Sequence, residues 1–354
     1  MNLGQLLILK VNELRWNSSL ERLLRRLQPG GVLIEAPLTD GTDAVRELLS
    51  KMAGAVTPVP FLALREEGGA MDPLGAFLPQ MPSPRAVAGK GLAAVGRLGD
   101  LVGAAFELLG FNTNLAPLLD LAPPAPGAIS ETRVFSPDPQ QMAKCGEAFL
   151  SGLERHDVRA CGKHFPGLDG TQCSSASGPP LVSKSMAALW REDLVPYRAL
   201  SPRLPLVLVS TAAYKAYDFD FLQSAGLSPR VVEGLLRVKL SYDGIAIDYG
   251  LETKAVRGTL TLEEAAVQAL GAGCDMLLLE EAASAERMPA VLRAALESGK
   301  LPSSRVEQGL KRIHLAQQGL RPPSGPLPSK ALDRLVREFT DFSGEFSPSG
   351  LTGG

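Results

Sequence analysis

Leu204-Pro205-Leu206-Val207-Leu208-Val209-Ser210-Thr211 is apolar at nearly every position before it turns polar. Such a run lacks the apolar–polar alternation of a half-exposed strand. As a strand it is therefore buried on both faces, the condition of a parallel sheet covered by helices. Its length falls far short of the ~20 residues that span a bilayer. Seven comparable runs lie on either side: Leu6–Lys10, Gly31–Glu35, Phe61–Arg65, Asn112–Ala116, Arg159–His164, Gly244–Tyr249 and Asp275–Leu279. Amphipathic stretches with helical spacing alternate with them, at Ser18–Leu27, Asp43–Met52, Ala86–Leu109, Pro139–Arg155, Ser228–Leu240 and Leu262–Ala272. Eight strand–helix units fit a closed (β/α)8 barrel, an α/β fold of the TIM type. A doubly wound open sheet is the structural alternative.

A barrel carries its active groups at the C-terminal ends of its strands. The polar residues ending these runs are Glu66-Glu67, Asp120, Lys163-His164, Ser210-Thr211 and Asp248-Tyr249, so they are expected around one mouth. Residues 1–320 read as the barrel. Residues 321–354 read as a Pro-, Ser- and Gly-rich tail, with one helical segment around Lys330–Phe339 and a disordered end from Ser343.

The 354 residues are 45% hydrophobic, enough for a large core. A net charge of −2 leaves no electrostatic footprint for nucleic acid or an anionic membrane. Cys145, Cys161, Cys173 and Cys274 lack metal-site or Cys-x-x-Cys spacing and read as reduced thiols. Met1-Asn2-Leu3-Gly4-Gln5 shows no basic, then apolar, leader, so the expected location is cytoplasmic. No phosphate-binding glycine loop, nucleotide fingerprint or metal-ligand cluster is visible, so neither cofactor nor metal is expected.

Lys163-His164-Phe165-Pro166-Gly167, followed by Leu168-Asp169-Gly170-Thr171, resembles the Lys-His-Phe-Pro-Gly-His-Gly-Asp-Thr signature of glycoside hydrolase family 3, in its β-N-acetylglucosaminidase branch. The resemblance extends over roughly residues 3–316. Gly110-Phe111-Asn112-Thr113-Asn114-Leu115-Ala116-Pro117-Leu118-Leu119-Asp120 is similar to the family's Gly-Ile-Asn-x-Asn-Phe-Ala-Pro-Val-Leu-Asp strand, and Arg133-Val134-Phe135-Ser136-Pro137-Asp138-Pro139 to its Arg-x-Phe-x-x-Asp-Pro loop. It implies a (β/α)8 barrel related to peptidoglycan-recycling enzymes. It also implies an N-acetylglucosamine-containing sugar or muropeptide as ligand, held by Arg133, Lys163, His164, Glu67 and Asp120. A protein partner is a further expectation.

The chain departs from the family where the chemistry sits. Retaining glycosidases use a nucleophile and a proton donor. The family's nucleophile segment Ser-Asp-Asp-Leu-Glu-Met-Lys-Ala reads, without gaps, Asp248-Tyr249-Gly250-Leu251-Glu252-Thr253-Lys254-Ala255. Tyr249 then takes the nucleophile's place. A second register, from branches with Ser-Asp-Tyr-Gly, makes Asp248 the candidate; one residue of slip on a strand reverses the face. The His-Asp proton-transfer dyad falls on Leu168 and Gly170, with Asp169 as an alternative carboxylate between them. The family's sugar-gripping Asp is Arg65 here. Three readings follow: a catalytically impaired sugar-binding barrel, an active glycosidase with rearranged groups, or a protein-interaction scaffold with a filled pocket.

Overall fold

The computed structural model describes residues 1–121, 130–168, 171–172 and 178–346. Eight parallel strands close into a barrel: β1 (Leu7–Val11), β2 (Gly31–Ile34), β3 (Phe61–Leu64), β4 (Thr113–Asn114), β5 (Arg159–Phe165), β6 (Leu206–Val209), β7 (Ile245–Asp248) and β8 (Met276–Leu279). Closure is direct, since β1 pairs with β2 on one side and with β8 on the other, Leu7 opposite Leu277. The barrel expectation holds and the open sheet does not. Each expected strand is present. β4 is regular over only two residues, but its backbone stays bonded to β5 beyond them, the Lys163 amide donating to the Pro117 carbonyl and the Leu119 amide to the Lys163 carbonyl. Asn112 and Asn114 extend it with side chains: Asn112 Oδ1 accepts from the Leu62 amide at 2.8 Å, and Asn114 Oδ1 from the Glu66 amide at 3.0 Å.

Helices α1 (Ser18–Leu27), α2 (Thr42–Ala55), α3 (Leu92–Leu109), α4 (Pro139–Glu154), α5 (Leu194–Leu200), α6 (Arg230–Lys239), α7 (Leu262–Ala272) and α8 (Ala282–Glu297) follow the strands in turn. Local chemistry sets their ends. Asn17 caps α1 by accepting from the Ser19 and Leu20 amides, and Thr261 with Glu264 forms a reciprocal capping box on α7. In α6 the Gly234 and Leu240 amides bond five residues back, the wide winding of a π-helix. Helices α3 and α4 approach through Gly99 and Gly152: a β-carbon on Gly99 would lie 2.3 Å from the Phe149 carbonyl oxygen.

The stretch beyond residue 320 is not loose where it is described. Helices α9 (Ser303–Gln317) and α10 (Ser329–Gly344) follow α8, and α10 packs on α3 with Leu335, Phe339 and Phe342 buried. Arg46 straps the connecting segment down by donating to the Ser324 carbonyl at 2.6 Å. Residues 347–354 lie outside the described set. A three-stranded sheet of Thr171–Gln172, Leu181–Val182 and Ala213–Tyr214 lies in the loops after β5 and β6. Two-residue strands are too short to leave a sequence pattern. Cys145, Cys161 and Cys274 are buried free thiols. Among the described residues no helix is long and apolar enough to cross a membrane.

Candidate functional site

The mouth is organised by a bulge in β5. Lys163 pairs with Leu208 of β6 and Phe165 with Val209, leaving His164 as the extra residue between them. Bulges re-aim side chains, and this one presents Lys163 and His164 to different partners. Lys163, at 1% exposure, sends its ammonium to Glu67 Oε1 (2.5 Å) and to the Leu115 carbonyl. Glu67 follows β3 at the head of a tight turn, its amide bonded to the Met71 carbonyl. Arg133 closes the cluster as a fork, Nε and Nη2 each 2.8 Å from a Glu67 oxygen. Burial alone would push the Glu67 carboxyl up, but Lys163 and Arg133 hold it down at about 2.

Asp120 binds the opposite side of the bulge. Its Oδ2 lies 2.8 Å from His164 Nδ1, and its Oδ1 accepts from the Leu168 amide at 3.0 Å. The His164 ring faces the ring of Tyr249, centroids 5.9 Å apart and tilted by 32°. Tyr249 follows β7; burial pushes its phenol up to about 12, the Thr211 side chain offsetting part of the effect.

Asp248 lies on the other side of the strand. It is fully buried, and neither carboxyl oxygen meets a hydrogen-bond donor in good geometry. Its carboxyl packs against Gly226, where a β-carbon would sit 2.0 Å from Oδ1. Burial pushes this carboxyl up to about 7, the nearby Tyr249 amide offsetting only part of the effect. Tyr249 thus stands beside His164, and the Asp248 carboxyl faces Gly226 instead.

The rim was less legible. Arg65, beyond β3, pairs with Glu35 Oε1 at 2.6 Å, and Lys10 takes Glu35 Oε2 at 2.7 Å. Arg65 and Glu35 also line a cavity of about 380 Å³ with Ala70 and Met71. Glu66 is wholly buried and accepts from the Gly68 and Leu74 amides; burial first, then the Asp72 charge, pushes its carboxyl well up. Glu66 is therefore a brace for the turn that carries Glu67. Lys10 and Glu35 went unnoticed as site residues, although polar residues at the ends of the first two apolar runs were a readable signal.

The structure thus brings Glu67, Arg133, Lys163, Asp120, His164 and Tyr249 together at one mouth. Leu168 is half-buried against the core beyond Gly167, whose carbonyl accepts from the Tyr214 hydroxyl at 2.6 Å. Asp169, the alternative acid/base, lies outside the described residues, as do Gly170 and residues 173–177. Among the described residues no three His, Cys, Asp or Glu side chains are grouped to hold a metal.

Residues 1–316 match the glycosyl hydrolase family 3 N terminal domain. The chain belongs to glycosyl hydrolase family 3. Among its relatives, a beta-hexosaminidase of Pseudomonas aeruginosa is 31% identical over 301 residues, covering 83% of this chain and 87% of that protein. Of solved family 3 structures, a β-N-acetylglucosaminidase from Paenibacillus superposes with a TM-score of 0.85 at 25% identity, covering 97% of this chain and 68% of that one. The β-N-acetylglucosaminidase from Thermotoga maritima gives 0.80 at 26% identity, covering 90% and 68%.

Proposed function

We propose that this family 3 barrel binds an N-acetylglucosamine-containing sugar, free or in a muropeptide, and has lost ordinary glycoside hydrolysis. The cytoplasmic recycling of peptidoglycan is the setting this reading gives it. The observation that carries it is the pair Tyr249 and Asp248. A phenol pushed up to about 12 stands beside His164, and the neighbouring carboxyl is turned into the wall. A phenol so placed needs a base to become a nucleophile. Leu168 stands where the family's proton-transferring His falls, and proton transfer by a placed side chain contributes roughly 10²–10⁴ in rate.

The binding half rests on Arg133 and His164. Both are partly exposed and are locked by carboxylates, Glu67 and Asp120, so they are oriented before a ligand arrives. Lys163, Glu67 and Asp120 serve this reading as positioning residues. Titration calorimetry with N-acetylglucosamine tests it. Binding is expected in the wild-type chain and weakened at least tenfold in His164→Ala; an absence of heat with the folded wild-type chain rejects the reading.

A further inference from the structure

Two features of one face take no part in the mouth. The first is an apolar groove of about 590 Å³ between the short helix Met186–Arg191 and α6, lined by Met186, Trp190, Tyr217 and Leu235. Its rim is basic: Arg191, Arg230 and Lys239 line it, and among the described residues no acidic side chain does. Arg198 and Lys239 set their charges over the Trp190 ring, 4.4 and 5.2 Å from its centroid. The acids on the flanking helices face elsewhere. Glu192 takes Lys184 at 2.9 Å, and the Glu233 carboxyl packs beside Gly273. The second feature is the segment 219–222, which begins two residues beyond Tyr217. Phe219 is 70% exposed, Phe221 72% and Leu222 46%, and Asp220 stands exposed between the two aromatics. Large apolar side chains grouped in water mark an interaction surface.

The segment carries what the groove lacks, an acidic charge among large apolar side chains. Two residues of chain span at most about 7 Å, so groove and segment border one another. A two-fold axis beside them places each segment at the other copy's groove, and both contacts form in one interface. We propose that two copies of this chain pair in this way, each segment 219–222 lying in the other's groove with Asp220 against its cations. An anionic bilayer also takes aromatics beside cations, but it repels Asp220 and leaves the concave groove unfilled. Both halves hang from the small sheet in the loops after β5 and β6: Leu181–Val182 precedes the helix Met186–Arg191, and Ala213–Tyr214 precedes the segment. Pairing therefore fastens those loops beside the Lys163–Gly167 motif, whose last carbonyl already accepts from the Tyr214 hydroxyl. The inference stands apart from the identity of any sugar.

Sedimentation velocity at tens of micromolar chain is the test. The wild type should sediment as a dimer, and the double variant Phe219→Ser with Phe221→Ser as a monomer. Both positions are exposed, so circular dichroism should show the variant folded. Asp220→Lys alone, and Arg230→Glu with Lys239→Glu alone, should each be monomeric, since each sets like charges face to face. Mixed together, these two chains should form a heterodimer, because each segment then meets a groove of opposite charge. A monomeric wild type overturns the proposal, as does a dimer that survives the double serine variant or a mixture that stays monomeric. Binding of a monomeric wild type to phosphatidylserine vesicles would give the face to a membrane and overturn it as well.

Discussion

Replacing Asp248 by Asn removes a titrating group from the barrel wall without changing its shape. The ordinary carboxyl value is 3.8 and burial against Gly226 raises it to about 7, so the folded chain keeps a proton that the unfolded chain releases between those values. With the unfolded state binding fewer protons, stability falls as pH rises through this window, is greatest below about pH 4 and levels off above about 7. One pH unit inside the window is worth about 1.36 kcal/mol. The cost is then roughly 2 kcal/mol at pH 5 and roughly 4 kcal/mol at pH 8, a difference of roughly 2–3 kcal/mol. Asn cannot titrate, and the remaining groups respond alike in both proteins, so urea unfolding of wild type and Asp248→Asn at the two pH values isolates the term. The variant should gain roughly 2–3 kcal/mol on the wild type between pH 5 and pH 8. Parallel pH profiles would refute the sealed carboxyl, and with it the register that turns Tyr249 to the mouth.

Glu67→Gln leaves Lys163 and Arg133 without their shared charge and should cost roughly 3–5 kcal/mol in urea unfolding at pH 7. Because Glu67 is held down at about 2, its contribution is present above about pH 4.5 and is lost as pH falls towards 2, so the variant should also lack part of the wild type's acid sensitivity. Gly226→Ala drives a methyl into the Asp248 carboxyl and should cost about 1–3 kcal/mol, much of it relieved in the Asp248→Ala background of a double-mutant cycle. Phe339→Ala, in the helix that packs on α3, should cost roughly 3–5 kcal/mol by chemical denaturation; a change under about 0.5 kcal/mol would mean that α10 is not part of the folded unit.

The barrel was readable because strands buried on both faces leave unbroken apolar runs such as Leu206–Val209, and because helices such as Ser18–Leu27 keep their spacing to the ends. In the tail, composition marked the linker and periodicity the helix. Pro, Ser and Gly dominate residues 321–329, yet Leu335, Phe339 and Phe342 recur at helical spacing and cover α3. At the site, the Lys163–Gly167 motif located the mouth, but motif matching could not orient residues 248 and 249. That depended on Gly226, which has no β-carbon and so leaves space for the Asp248 carboxyl behind the strand. The chain of Lys10, Glu35 and Arg65 joins the ends of three strands, and no spacing within the sequence encodes which of them meet.

The central claim is that Tyr249 occupies the nucleophile's place without performing its chemistry. Release of p-nitrophenol from p-nitrophenyl β-N-acetylglucosaminide, by the wild-type chain and by Tyr249→Phe, tests it most directly. The account predicts no release above buffer from either protein. Turnover by the wild type that disappears in Tyr249→Phe would contradict it and make the tyrosine a working nucleophile.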